Sequence, residues 1–593
     1  MRVTASRFIG VIGLAALSFT ASAAPAFAQS LSGSFLAARH AVVENNFEQA
    51  AHFWRRALIR APGDTRLMSQ ALFYSVLSGE LEKALPIARQ LETSAPDDRI
   101  ANLTLAVDEI REGRFEAVRE RLQVTSGDAV NSLMVRLLLA WAKAGEGDVD
   151  GALADFESLD NSAIYRVFGR MHAGHVAALN GRFDAAEAYM AEAFEAANTP
   201  STRMVQARGA VLSQLGELEQ ARELFEAGAA NDPGSAAMIS GLEEFEAGRA
   251  LALVVSSPQE GAADALFGLA GALSNEDSGR FGLLYARLSL HLAADYPEAD
   301  LLIGDILLEL DRFEAAADAY GRIGKDDSVY EQGQVGIASA LRSMDRVEDA
   351  IEALRALAEL KDENATPYFA LAQVLSGEQR FAECVEAFDN GLARIGRMNE
   401  RHWSIYYRRG ICLERTGDWD RAEENFLMAL ELRPNEPDVL NYLGYSLIEQ
   451  RRRLDEARGY LERAAAERPE SGYIVDSLGW LFYRIGDYEA AAEKLEEAVR
   501  LDPVEPVILD HLGDALWKVG RRLEAEFQWK RSLSFNPTDE DRKRILRKLE
   551  VGLDQVLEDE ARAADEGETP RQADVGAEDV APAETDETPA NGG

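Results

Sequence analysis

One short pattern recurs through the C-terminal half of the chain every 34 or 35 residues, and this period limits the fold more than any other feature. Proline closes each unit at Pro434, Pro469, Pro503 and Pro537. Three further positions of each unit, the eighth, the twentieth and the twenty-fourth, carry glycine, alanine and a large apolar side chain: Gly410, Gly444, Gly479 and Gly513; Ala422, Ala457, Ala491 and Ala525; Phe426, Leu461, Leu495 and Trp529. Apolar residues at i, i+3 and i+4 run through both halves of each unit, which indicates two amphipathic helices per unit.

The residue types that recur in every unit are explained by the space available between two packed helices. Small side chains at positions 8 and 20 allow two antiparallel helices to approach closely, and the large residue at position 24 fills the space beyond them. Proline ends the second helix because it lacks an N–H group and disfavours helical backbone in the residue before it. The pattern L-G-x-x-L/F … A-x-x-x-F/L/W … P resembles the tetratricopeptide repeat. The resemblance implies an all-α fold, a right-handed α-solenoid (superhelix) of stacked antiparallel helix pairs, over roughly residues 31–557.

The same register divides the mature chain into three helical segments. An N-terminal array of about six units, partly degenerate over residues 99–162, covers residues 29–235. A C-terminal array of about seven units covers residues 297–538. Residues 236–296 between them keep a helical pattern, but the glycine and alanine positions slip. We expect this divergent zone to bend the array or to separate two lobes.

Both ends of the chain differ from the repeats. Residues 1–28 combine basic residues, a short apolar run and an Ala-Phe-Ala site, which predicts a secretory signal peptide cleaved after Ala28. The alternative is an uncleaved membrane anchor. Residues 539–557 predict one helix that caps the last unit. Residues 558–593 are acidic and almost free of large apolar side chains, which predicts a disordered tail. That tail either serves only for solvation or competes for the array's own inner surface.

Composition narrows the location and the partners. The formal net charge of −40 argues against binding to nucleic acid or to anionic lipid. The signal sequence predicts export, to the periplasm or the periphery of the outer membrane of a bacterium. Cys384 and Cys412 are the only cysteines, and both fall at packed helix positions. We expect two buried thiols, with a single disulfide as the alternative.

The sequence offers little that resembles an active site or a cofactor site. It has no H-E-x-x-H, no phosphate-binding G-x-x-x-x-G-K-[ST], no G-x-S-x-G and no run of strands. His172 and His175 lie three residues apart on one predicted helix and would suit a shared metal, but no third ligand is evident. We therefore expect a solvated or packed histidine pair, and no cofactor or metal.

The first helix of each unit is expected to line the inner, concave surface of a stacked array. Positions 2, 5, 9, 12 and 13 of that helix face the groove. The candidate protein-binding residues at these positions are Asn441, Tyr445, Tyr473, Asp476, Trp480, Tyr483, Arg484, Asp510, Asp514, Trp517 and Lys518. Aromatic side chains interleaved with carboxylates suit an extended segment with apolar and basic groups. The alternative is that these aromatics pack against neighbouring helices or the capping helix.

The resemblance guides the functional hypothesis. Arrays of this family that hold the C-terminal carboxylates of chaperones use Lys, Asn and Arg in the groove, whereas positions 5 and 9 here carry Asp, Asn, Tyr and Trp. The C-terminal units are similar to exported tetratricopeptide proteins of alphaproteobacteria. That similarity implies a non-catalytic scaffold that binds other proteins of the cell envelope. A self-assembling structural protein and an enzyme with a site hidden in residues 236–296 are the alternatives.

Overall fold

The computed structural model describes residues 30–122, 129–231, 235–274, 279–360, 364–396 and 398–565. These residues form α-helices, one 3₁₀ turn at Glu400–His402 and no strand. The signal sequence and residues 566–593 of the predicted tail lie outside the described residues. The helices, numbered along the chain, are α1 (Leu31–Val43), α2 (Phe47–Arg60), α3 (Thr65–Leu77), α4 (Leu81–Ser94), α5 (Arg99–Arg111), α6 (Phe115–Leu122), α7 (Ala129–Glu146), α8 (Val149–Glu157), α9 (Ala163–Leu179), α10 (Phe183–Ala196), α11 (Thr202–Gln214), α12 (Leu218–Asn231), α13 (Ala236–Glu246), α14 (Pro258–Ala272), α15 (Gly279–Leu292), α16 (Pro297–Glu309), α17 (Phe313–Tyr320), α18 (Tyr330–Ser343), α19 (Val347–Leu360), α20 (Thr366–Gly377), α21 (Phe381–Leu392), α22 (Trp403–Arg415), α23 (Trp419–Leu432), α24 (Pro437–Glu449), α25 (Leu454–Glu467), α26 (Gly472–Ile485), α27 (Tyr488–Leu501), α28 (Pro506–Lys518), α29 (Arg522–Ser534), α30 (Asp539–Val551) and α31 (Leu553–Asp565).

The chain divides into two compact units, residues 1–374 and 375–593, and the division falls inside α20. In each unit successive helices pack as antiparallel pairs, as the all-α solenoid prediction requires. Short turns with a left-handed residue join the two helices of most pairs. Gly486 takes φ of +89° in one such turn, a conformation that costs glycine little. The one 35-residue unit instead has two left-handed arginines, Arg451 and Arg453, at the turn that holds its extra residue.

The close approach within each pair depends on the glycine at position 8. A β-carbon placed on Gly410, Gly444, Gly479 or Gly513 would lie 2.6, 2.8, 2.7 or 2.3 Å from the large side chain at position 24 of the same unit. Such distances are well inside van der Waals contact. The repeat pattern therefore records the spacing of the two helices, as predicted.

The divergent zone lies within the first unit and has an unusual position there. Helices α14 and α15 pack against α3, α5, α7 and α9, which are the first helices of four repeats. Gly261 of α14 meets the ring of Trp141, and Phe281 of α15 lies 5.9 Å from Phe73 between ring centroids. The inner face of the first unit is therefore filled by its own chain. The slipped glycine and alanine positions are explained, because these helices do not pack only as a repeat pair.

Polar contacts join α14 and α15 to the surrounding repeats. Asp264 of α14 accepts a hydrogen bond of 2.9 Å from Arg203 and one of 3.1 Å from the Tyr296 hydroxyl. His291 of α15 lies 3.1 Å from Asp108. Arg280 donates to the Val42 carbonyl at 3.1 Å, so residues far apart in the chain meet.

The two histidines of α9 belong to this buried network. His172 and His175 are 2% and 5% exposed, and His175 lies 3.6 Å from Asp264. Burial lowers the pKa of both, to about 4 for His172. No group of three metal-ligating side chains occurs in the described part of the chain. The packed histidine pair, and not a solvated one, is the arrangement found.

The two cysteines correct one expectation. Both are fully buried, as predicted, but Cys384 and Cys412 are joined in a disulfide and are not free thiols. The bond links α21 to α22 in the second unit. The sequence identified both positions as packed, but it could not show that adjacent repeats bring the two sulfur atoms together.

Candidate protein-binding surface

The candidate groove residues lie on α24, α26 and α28, the first helices of three consecutive repeats in the second unit. Their exposure differs from the expectation of an open aromatic groove. The buried members are Asn441, Tyr445, Asp476, Trp480, Tyr483, Asp510 and Asp514. Arg484, Trp517 and Lys518 are half-buried. Tyr473 is 43% exposed. Among the aromatics, Tyr473 is therefore the most accessible.

Trp480 and Tyr483 pack against neighbouring side chains, as the alternative interpretation proposed. The Trp480 ring stacks on Tyr483 at 4.6 Å and on His511 at 4.0 Å between centroids. Glu449 on the preceding first helix accepts hydrogen bonds from the Trp480 indole at 2.9 Å and from Arg484 at 3.0 Å. These side chains hold successive repeats together.

His511 sits at the centre of this stack and was not predicted. Its Nδ1 lies 2.9 Å from Asp476, and the carboxylates of Asp510 and Asp514 are close. Burial lowers the pKa of His511, but the three carboxylates outweigh burial and the pKa is raised above its ordinary value. The groove therefore contains a buried imidazole that favours its charged form.

The acidic residues of α28 are covered by α30. Lys548 is 1% exposed, and its amino group lies 2.7 Å from both Asp510 and Asp514. Arg544 lies 3.6 and 3.5 Å from the same two carboxylates. The Trp529 indole also donates to Asp514 at 3.0 Å. This part of the predicted groove is occupied by the protein's own C-terminal helix.

The two outer residues of the predicted site meet α31. The Trp517 indole and the Lys518 amino group donate to Asp554 at 3.0 and 2.6 Å. The segment predicted as one helix over 539–557 is two helices, divided at Gly552 with φ of +85°. Helix α31 continues to Asp565, so the first eight residues of the predicted disordered tail are helical.

The accessible part of the predicted site lies at the start of α26, where Tyr473 is exposed. Tyr473 bonds to Asp438, which also accepts a hydrogen bond of 2.8 Å from Arg468. The side-chain oxygen of Asn441 is buried and has no hydrogen-bond partner among the described residues. The exposed ring of Tyr473 is suited to contact a bound protein segment.

Comparison with known proteins identifies the repeat. A family model for the tetratricopeptide repeat matches residues 369–437, 407–472, 443–506 and 477–533. The chain contains tetratricopeptide repeats. These matches cover α20 to α29 of the second unit almost completely, where the repeat pattern is also most regular.

Two curated relatives share part of the chain. A TPR repeat-containing protein of Pseudomonas aeruginosa is 27% identical over 200 residues, which is 34% of this chain and 33% of that protein. A lipoprotein NlpI homolog of Haemophilus influenzae is 31% identical over 117 residues, 19% of this chain and 36% of that protein. The chain spans about a third of the length of each.

Among solved structures, the APC/C hetero-tetramer Cut9–Hcn1 is similar over 87% of this chain and 96% of that chain. The identity is 13% and the TM-score is 0.36. In the described residues, no helix of the tetratricopeptide array has the length and apolar character needed to cross a bilayer.

The positions of the basic residues that cover the groove could have been found from the repeat register. Arg544 and Lys548 follow Asp510 and Asp514 by 34 residues each, so they occupy positions 5 and 9 of one further first helix. Extending the register beyond Pro537 would have placed them beside the two aspartates. The stacking of Trp480 on His511 was harder to predict from the sequence, because His511 lies at position 6, which is not among the positions expected to face the groove.

Proposed function

We propose that this tetratricopeptide protein is a non-catalytic scaffold that binds other proteins through the concave surface of its second unit. Tetratricopeptide-repeat proteins generally mediate protein–protein interaction. The observation that carries the proposal is the exposed ring of Tyr473 at the start of α26, the first helix of its repeat. A bound segment would bury this ring, and burial of apolar surface favours binding.

We further propose that the scaffold works in the bacterial cell envelope. Three observations support this location: the signal-like N-terminus, the disulfide between Cys384 and Cys412, and the partial similarity to a lipoprotein homolog. Disulfides persist in oxidising compartments such as the periplasm. Fractionation of cells that produce the full chain tests the location. Recovery of the protein with the cytoplasmic fraction, with an intact N-terminus, would contradict it.

Affinity purification from a native envelope extract tests the binding surface. The variant Tyr473→Ser together with Asn441→Ala should lose at least fivefold in captured partner proteins relative to the unchanged chain. Phe527→Ser on α29 is the matched control, because Phe527 is also an exposed aromatic, 59% accessible, on the second helix of its repeat. Equal capture by all three proteins would exclude this surface.

Self-assembly is a second candidate, supported by the exposed face of α1. Leu31, Phe35 and Leu36 are 41%, 40% and 67% exposed at the start of the first unit. They line a groove of about 740 Å³ with Trp54 and Leu67. A second copy would cover this apolar face. Light scattering over a concentration series, with Leu36→Glu as the comparison, tests this. A concentration-independent monomer mass for the unchanged chain would eliminate it.

A further inference from the structure

The acidic end of the concave surface and the helix that covers it carry opposite charges. Asp476, Asp510 and Asp514 line α26 and α28, whereas α30 carries Arg542, Lys543, Arg544, Arg547 and Lys548. The protein as a whole has a net charge of −40, whereas α30 carries five basic and four acidic residues and has a net charge of +1. This charge complementarity indicates that α30 meets a surface built to receive a basic helix.

The contacts show how the basic helix is bound. Lys548 is enclosed between Asp510 and Asp514, and Arg544 approaches both carboxylates from the preceding turn. Ile545, which lies between them in sequence, is fully buried. Two basic groups four residues apart lie on one helical face. The unit recognised by the groove is therefore basic–apolar–basic on one face of a helix.

The aspartates would be unfavourable without such a partner. Asp514 is fully buried and Asp510 is 7% exposed, and they lie on the same helix within reach of one amino group. Buried carboxylates need a paired charge or hydrogen bonds. A site with two buried acids thus requires a cation, and either α30 or another basic segment can supply it.

The packing of α30 makes its exchange for another segment feasible. Only Ile545 and Lys548 of α30 are buried, whereas α28 buries nine residues. Leu546 is 52% exposed, and Val551 is 36% exposed. With so little apolar area removed from water, the attachment depends mainly on charge pairs, which salt weakens where they are accessible.

We propose that α30 is a displaceable internal occupant of the acidic groove, and that the partner which replaces it presents a helix with the same basic–apolar–basic face. This inference rests on the proposed scaffold function and adds the class of partner and its regulation. While α30 is bound, Asp510 and Asp514 of α28 are closed to other proteins. A partner helix with stronger basic contacts displaces α30.

The first test measures exchange of backbone amides in the unchanged full chain. Amides of α30 should exchange at least tenfold faster in 1 M NaCl than in 50 mM NaCl, while those of α28 change less than twofold. This result is expected because the accessible pairs of Arg544, whose side chain is 31% exposed, weaken with salt, whereas α28 is held by apolar packing. Equal, salt-independent protection of α28 and α30 would show that α30 is a fixed part of the array.

The second test uses a labelled peptide of residues 538–552 as the probe, added to the full chain. The double variant Arg544→Glu and Lys548→Glu should bind this peptide at least tenfold more tightly than the unchanged chain, because its own α30 is repelled by the aspartates. Lys543→Glu with Arg547→Glu is the matched control, with the same charge change on the exposed face of the same helix. It should behave as the unchanged chain does.

A further variant and a folding control decide whether peptide binding depends on the two aspartates. Adding Asp510→Asn and Asp514→Asn to the open variant should abolish peptide binding. If the open variant binds no peptide while circular dichroism shows a folded array, the inference is wrong. If that variant does not fold, excess peptide is added to the unchanged chain, and increased exchange in α30 is required. Capture of envelope proteins through Tyr473 is measured separately, so its failure would reject the scaffold function and not the exchange of helices.

Discussion

The two compact units cover the inner face of their repeats in different ways. In the first unit α14 and α15, whose glycine and alanine positions slip, fill that face and make it part of the core. In the second unit most groove positions of α24, α26 and α28 are buried between neighbouring repeats, and α30, which continues the repeat register, covers the acidic end. The comparison shows that the inner face can be covered either by a segment outside the register or by the next helix within it.

The buried histidines reflect the same difference. In the first unit His172 and His175 lie in a largely aromatic environment with one carboxylate, Asp264, and burial keeps them neutral. In the second unit His511 faces three carboxylates and its charged form is favoured. The buried histidines of the two units therefore change the free energy of unfolding with opposite signs as the pH rises.

The largest expected effect comes from breaking the packing in the first unit. A β-carbon on Gly261 would lie 2.1 Å from the Trp141 ring, so Gly261→Ala should displace α14 and cost about 3 kcal/mol. Chemical unfolding followed by amide exchange in α7 and α14 measures this. Gly271→Ala is the control on the same helix. Its β-carbon meets open space, so it should be neutral or stabilise the helix by about 0.5–1 kcal/mol. Equal effects would mean that α14 is not tightly packed.

Removing the disulfide should have the next largest effect, and this effect should differ between the two units. It closes a 28-residue separation in the second unit only. Its loss should destabilise that unit by about 3 kcal/mol, because the unfolded chain regains conformational freedom. Unfolding is monitored separately in α9 and α22, for Cys384→Ser with Cys412→Ser and for the unchanged chain. Ser78→Ala, which changes a half-buried residue of the first unit, is the control. A loss of protection in α9 would show that the effect of removing the disulfide is not confined to the second unit.

Acid should weaken the first unit specifically. The pKa of His172 falls from 6.5 to about 4 on folding, so its contribution is complete above pH 6.5 and is lost as pH falls from 6.5 toward 4. The loss is about 3 kcal/mol at most. His172→Phe removes the titrating group and fits among Trp141, Phe156 and Phe168. Amide exchange in α9 from pH 7 to pH 4.5, corrected for the intrinsic pH dependence, should depend less on pH in that variant, and the remaining dependence is expected from His175, whose pKa burial also lowers. An unchanged slope would assign the effect elsewhere.

The local rules of the repeat could be predicted from the sequence, but the long-range contacts could not. The close pair of Gly513 and Trp529 follows from positions 8 and 24, because both lie in one unit. The register also reaches Arg544 and Lys548, which makes their pairing with Asp510 and Asp514 accessible to sequence reasoning. In contrast, Asp108 and His291 meet across 183 residues. No periodicity within a repeat specifies such a contact.

Burial of the groove aromatics shows a further limit. Trp480 lies at position 9 of a first helix, which the register predicts to face the groove. Its ring is nevertheless covered, because His511 of the next repeat stacks on it. The direction of a side chain follows from the helix, whereas its exposure depends on the residue type at one position of a neighbouring unit.

The smallest expected effect tests the charged histidine of the second unit. Because the pKa of His511 is raised on folding, its contribution is complete below pH 6.5 and is lost as pH rises through the higher folded value. The charge-assisted bond to Asp476 contributes about 2 kcal/mol. Amide exchange in α26 and α28 should therefore quicken, beyond its intrinsic rate, between pH 6 and pH 9, while α9 does not change in this sense.

His511→Gln is the variant that isolates the charge. The amide can still donate a hydrogen bond to Asp476, but it does not titrate, so the pH dependence of α26 and α28 should disappear. His52→Gln in the first unit is a control, since His52 is exposed and should leave α26 unaffected. If the second unit is stabilised as pH rises, His511 is neutral in the folded protein. The two units would then not respond to pH in opposite directions, and their inner faces would not differ in electrostatic character.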